Sequence, residues 1–180
     1  RAISRCHSTP TIAPQRMMRT AATDPTIALW RVANLRNWYT ADGGRAAMLT
    51  RIGRMGLGDL RDLADHYTAI SGRGAFLAAE RADDDDVARL KRIATQRMAP
   101  GEPGGLPRLE GNFHLELAAT AQSARLTREE MALQRQVGPL LWLAHAESGG
   151  ASATAAAHQR IARSVGETDP ATARAHAEDH

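Results

Sequence analysis

Apolar residues recur along this chain at three- and four-residue steps, and no segment shows the strict alternation of a half-buried strand. In "PTIALWRVANLRNWY", Ile27, Trp30, Leu35 and Trp38 fall near one helical face. "DLRDLADHYTAI" repeats the pattern with Leu60, Leu63, Tyr67 and Ile70. "RADDDDVARLKRIATQRM" opens on an acidic turn, which suits the positive end of a helix, and then carries the stripe Val87, Leu90, Ile93. The acidic run at 83–86 reads as a helix cap rather than a cation site. "APGEPGGLP" at 99–107 breaks the chain, because three glycines and three prolines cannot continue a helix.

Beyond the break, "LEGNFHLEL" predicts one helix and "LTREEMALQRQVGPLLWLAHAE" the next. Thr127 and Glu130 have capping-box spacing there, with Leu126 as the staple residue. "SATAAAHQRIARSV" predicts a helix ending at Gly166, and Asp169 with Pro170 starts another. The expected fold is an all-α antiparallel helical bundle, with residues 1–58 the least determined part.

Composition adds a boundary and a location. The chain of 180 residues suits one domain with a small appendage. Its nine arginines up to residue 58 stand against only Asp24 and Asp42, a net of +7, whereas residues 59–180 hold 14 basic and 18 acidic groups, a net of −4. A basic head on a mildly acidic body is the pattern of a segment that meets phosphate, or of a solvated Arg-rich tail. Cys6 alone excludes an internal disulfide framework and fits a reducing cytoplasm. No apolar run approaches the ~20 residues of a membrane span. "RAISRCHSTP" has neither a hydrophobic h-region nor an initiator Met, and reads as an already truncated start rather than a signal peptide.

Candidate chemistry lies with the histidines. Glu110 and His114 are four residues apart, on one helical face. Alone, that pair reads as structural or surface. His158 shares a face with Ile161 and Val165, and alone reads as a hydrogen-bonded core histidine. It precedes Gly166 by eight residues, while His180 follows Asp169 by eleven, or ~12 and ~16 Å at the helical rise. Two antiparallel helices would bring both to one level, although spacing does not make them face each other. "HAEDH" lacks the glutamate of a zincin, so His176 reads as surface. His66 and His145 have no partner at metal spacing, no Ser or Cys sits in a nucleophile elbow, and "SGRG" does not cradle phosphate.

Four stretches together resemble a known family. "LADHYTAISGRGAFLAAERADDDDVARL", "LEGNFHLELAATAQSARL", "AAAHQRIARSV" and "DPATARAHAEDH" are similar, in order and spacing over roughly 120 residues, to the FCD effector-binding domain of FadR-type GntR transcriptional regulators. The resemblance implies a helical bundle holding a divalent metal through one carboxylate and three histidines. By position these are Glu110, His114, His158 and His180. Imidazoles with a carboxylate suit zinc, with nickel the alternative, better than calcium or magnesium. It further implies a small carboxylate effector, operator DNA contacted through an N-terminal region, a homodimer, and no enzymatic role.

The expected division is a basic segment at 1–57, a remnant or incomplete winged-helix domain or linker, followed by an FCD-like ligand- and metal-binding domain at 58–180. The chain departs from the family pattern in four places. Glu110 stands where aspartate is usual, and Ser123 where asparagine is common. "AISGR" replaces the first helix's arginine and glutamate, so no effector-binding arginine can be named. "GGRAAMLTRIGRMGL" resembles the end of a winged helix, but with altered spacing. The competing readings are a metal-dependent helical hydrolase, for which no general base is placed, and an effector module without metal.

Overall fold

A computed structural model describes residues 49–97, 105–148 and 151–180. After a helical turn at 49–52 come α1 (Leu57–Arg81), α2 (Asp84–Ala94), α3 (Gly105–Thr120), α4 (Ala124–Ser148), α5 (Ala151–Gly166) and α6 (Pro170–Asp179). There is no strand among the described residues, and the expected all-α bundle is what forms. Cys6, the helix expected around Trp30 and Trp38, most of the basic head with the winged-helix remnant, and 99–104 of the breaker lie outside the described residues, while its last three residues, 105–107, open α3 instead of staying outside a helix.

The short helix α3 is the axle of the fold. Residues 113–121 are all buried, and α3 packs against α1, α2, α4 and α5. A helix enclosed on every side needs apolar residues all round. Phe113, Leu115, Leu117, Ala118 and Ala119 supply them. Glu110, His114, Glu116 and Thr120 of α3 are buried too, where polar groups generally find partners. Glu116 meets the Arg89 guanidinium of α2 at 3.4 Å.

Around this axle, Ala75 and Ala78 of α1, Leu90 of α2, Ile161 and Val165 of α5, and Ala173 and Ala177 of α6 close one core. Its alanines let α1 and α6 approach closely. Gly72 marks the tightest point: a Cβ there would stand 2.7 Å from Cγ of Glu178 on α6. A second cluster, Leu63, Leu133 and Val137, joins α1 to α4.

Two helix starts follow the sequence reading. The carboxylate of Asp83 accepts from the Asp86 amide at 2.9 Å, capping α2. That of Asp169 accepts from the Thr172 amide at 3.1 Å, with Pro170 next, and so caps α6. The turn between α5 and α6 needs Thr168 at a φ of 51°. This antiparallel reversal brings His158 and His180 to one level.

The start of α4 differs from expectation. The helix begins at Ala124, and Ser123 Oγ accepts from the Leu126 amide, so Thr127 and Glu130 do not form a capping box. Thr127 is inside the helix, where its hydroxyl donates to the Ala118 carbonyl of α3 at 3.1 Å. Spacing alone could not distinguish a capping box from two polar residues on a buried stripe.

Replacing Asp83 with alanine should cost about 1 kcal/mol of stability, the usual worth of an N-cap. The exposed Asp84→Ala should stay within ~0.5 kcal/mol. Urea denaturation of the two variants checks the difference.

Candidate metal centre

Glu110 and His114 are one turn apart on α3, with Glu110 3% and His114 1% exposed. His158 comes from α5, also 3% exposed, and His180 from the residue after α6. Their meeting point is one oxygen. Oε2 of Glu110 lies 3.0 Å from His158 Nε2, 3.2 Å from His180 Nε2 and 3.4 Å from His114 Nε2. The four donor atoms all fall within 4.8 Å of one another. Every residue proposed from the sequence for this site is thus brought together.

Packing holds the rings in place. Phe113 stacks on His158 at 3.9 Å between centroids, with 14° between the planes. The His114 and His180 rings are nearly parallel at 5.4 Å, and His158 stands almost perpendicular to both. The Nδ1 of His114 is 3.4 Å from the Ser71 hydroxyl of α1. That contact turns the opposite nitrogen, Nε2, toward Glu110.

The charge states follow from burial. Desolvation pushes the Glu110 carboxyl up, but the imidazoles of His114, His158 and His180 gathered around Oε2 outweigh it and hold the group far below the carboxylate range. Burial holds His158 below its ordinary value, and the contacts with Glu110 only partly offset this. An ionised carboxylate beside a His158 ring that resists protonation is the state in which such groups bind metal.

The arrangement passes a simple fit test. His114 Nε2 is buried without a hydrogen-bond partner. Two donors ~2.1 Å from a common ion stand roughly 3–4 Å apart, which is the scale of this cluster. One cation would satisfy the orphaned nitrogen and neutralise the buried carboxylate together. Replacing the usual aspartate with Glu110 does not take the carboxylate out of reach.

Of the other histidines, the two whose side chains are described do not join. His176 is half-buried rather than fully on the surface, and its Nδ1 meets Ser164 Oγ at 3.1 Å. His66 is exposed, and the side chain of His145 lies outside the described ones.

A second polar group adjoins the cluster, and sequence reasoning missed it. Glu130 and Gln134 of α4 are 1% and 4% exposed, and Gln134 Nε2 donates to Glu130 Oε1 at 2.7 Å. Burial raises the Glu130 carboxyl, with His114 and Gln134 opposing. Tyr67 lies against His114, with ring centroids 5.2 Å apart. Its hydroxyl is pushed well above the ordinary value by burial and by the charges of Glu130 and Glu110. The signal for this group was the period of α4: Thr127, Glu130, Gln134 and Val137 recur at core spacing, so two of its core positions are strongly polar.

Comparisons agree with this architecture. The family model for the FCD domain matches residues 62–180. A curated protein of Mycobacterium gastri, named "Putative HTH-type transcriptional regulator RmpR", is 32% identical over 120 residues. That match covers 66% of this chain and 44% of the relative, so the chain spans less than half of the relative's length. No solved structure matches significantly. Among the described residues, no helix is long and apolar enough to cross a membrane.

Acid should destabilise the metal-stripped protein through His158. Its pKa is lower folded than its ordinary 6.5, so the unfolded chain takes up its proton first as pH falls. The stability His158 contributes is therefore complete above pH 6.5 and is lost from there down to the folded pKa. His158→Gln should flatten the dependence of the chelated protein's denaturation midpoint on pH below that point. An unchanged slope would contradict the assignment.

Proposed function

The chain belongs to the FCD domain family, and from that membership we propose that it is the sensing part of a bacterial transcriptional regulator. In this reading the helical domain holds a divalent transition metal through Glu110, His114, His158 and His180, and takes a small organic acid as effector. Binding then modulates the grip of an N-terminal region on operator DNA. The observation that carries it is the convergence of three imidazole Nε2 atoms on one buried carboxylate oxygen. The relative's name, a helix-turn-helix regulator, supports the DNA-binding half of the proposal.

Imidazole and carboxylate donors favour zinc, or nickel, over calcium or magnesium. Bound there, the ion would supply a Lewis-acidic anchor for the effector's carboxylate. The chain's own residues do the positioning. Glu110 brings the compensating charge, Phe113 fixes the plane of His158, and Ser71 fixes the rotation of His114. The donors come from α3, from α5 and from the end of α6, so filling the site ties three elements together. An effector that favours one arrangement of those elements shifts a dimer between forms that do and do not grip DNA. The +7 segment at residues 1–58 is the candidate DNA contact, and its binding should weaken steeply with salt.

Reloading chelator-stripped protein with zinc or nickel should give one ion per chain, read by elemental analysis and native mass spectrometry. Glu110→Ala and His158→Ala should lose stoichiometric metal and thermal stability together, since a bound ion stabilises by mass action. His176→Ala should keep its metal; full occupancy in His158→Ala would rule the site out.

Ser71→Ala should retain the ion but bind it ~10–100-fold more weakly, the usual cost of losing a partner that orients a ligand. Competition with a metallochromic chelator measures that loss. An effector-dependent change in operator affinity would separate a regulator from an enzyme using the same ion.

A further inference from the structure

The polar pair on α4 is not used by the four-donor cluster, and it makes its own demand. Gln134 is 4% exposed and its Oε1 is buried without a partner among the described residues. Its amide faces Glu130: Nε2 donates to that carboxyl at 2.7 Å, which leaves Oε1 turned away from it. Oε1 is therefore an acceptor that no hydrogen bond among the described residues meets. Glu130 beside it is 1% exposed, and Gln134 is the hydrogen-bond partner its side chain has. Two buried acceptor-bearing groups side by side, with the Gln134 oxygen unmet, are complementary to a ligand that brings a donor.

The pair also lies next to the metal donors. Glu130 is close enough to act electrostatically on both His114 and Tyr67, and Tyr67 packs on the His114 ring. The Tyr67 hydroxyl is within hydrogen-bonding reach of both Gln134 and Ser71, and Ser71 meets Nδ1 of His114, so a polar row runs from Gln134 to His114. A molecule held at the cluster by a carboxylate could extend along that row toward Gln134.

We propose that Gln134 and Glu130 form a specificity site that reads a hydroxyl or ammonium donor on a small acid whose carboxylate is held at the Glu110, His114, His158 and His180 cluster. The favoured ligands are then hydroxy acids or amino acids rather than plain carboxylic acids. This rests on the metal-and-effector reading above and narrows its ligand class. A site built to bond a donor discriminates strongly against the analogue that lacks it, because its acceptors are then left buried and unmet.

The test is calorimetry on metal-loaded protein with two matched sets, propionate, lactate and alanine, then succinate, malate and aspartate. At least one donor-bearing acid should bind tenfold or more tightly than its plain counterpart. Gln134→Met, close in shape but without the acceptor, should reduce that ratio to about one while metal content stays at the wild-type level. Glu130→Gln provides a second variant: it should weaken the amino acids more than the hydroxy acids, by removing the charge. Equal affinities within each set, binding of none of the six, or a ratio that survives Gln134→Met would each overturn the proposal. Failure of the wild-type protein to retain any metal would instead bring down the reading beneath it.

Discussion

A carboxylate in the middle of a helical core is the constraint on which this structure turns. Removing an ionised group from water is expensive unless hydrogen bonds or an opposite charge compensate it. Glu110 is almost fully enclosed, and no lysine or arginine contacts it among the described interactions. Its compensation comes from three imidazoles on α3, α5 and the end of α6. Those rings do not carry a permanent charge, so they can serve the carboxylate as proton donors or share a cation with it. Bundle and site are therefore one problem, because the helices that close the core deliver the donors.

The surrounding architecture answers that problem with small residues and short reversals. Alanines on α1 and α6 let those helices close over α3, and Phe113 serves both as core filler and as a plate behind His158. The Thr168 turn lays α6 back along α5, so that residues 22 apart in the chain reach the same oxygen. Only Glu110 and His114 are set by a single helix. The rest of the geometry is tertiary.

That division explains what could be read before the fold was in view. Helical period located the helices, and Asp83, Asp169 and Pro170 marked where two of them begin, because caps are local chemistry. The four donors were identified by family resemblance. Spacing alone could level His158 with His180 but not aim them. The start of α4 was misread because Thr127 and Glu130 satisfy a capping pattern while in fact facing the core. The same misreading hid Glu130 and Gln134: a polar residue on a buried stripe looks like a surface residue until its neighbours are known. The basic head had nothing to compare with, since it lies outside the described residues.

Gly72 has no side chain and touches none of the donors. It sits opposite Glu178, two positions before His180, where any added carbon would collide. α1 and α6 pass closely at that point, and the side chain standing in the gap is the exposed carboxylate arm of Glu178. A lone methyl group at position 72 would therefore be met first by a swing of Glu178 away from Arg174, a loss on the outer face of α6 before any ligand is reached.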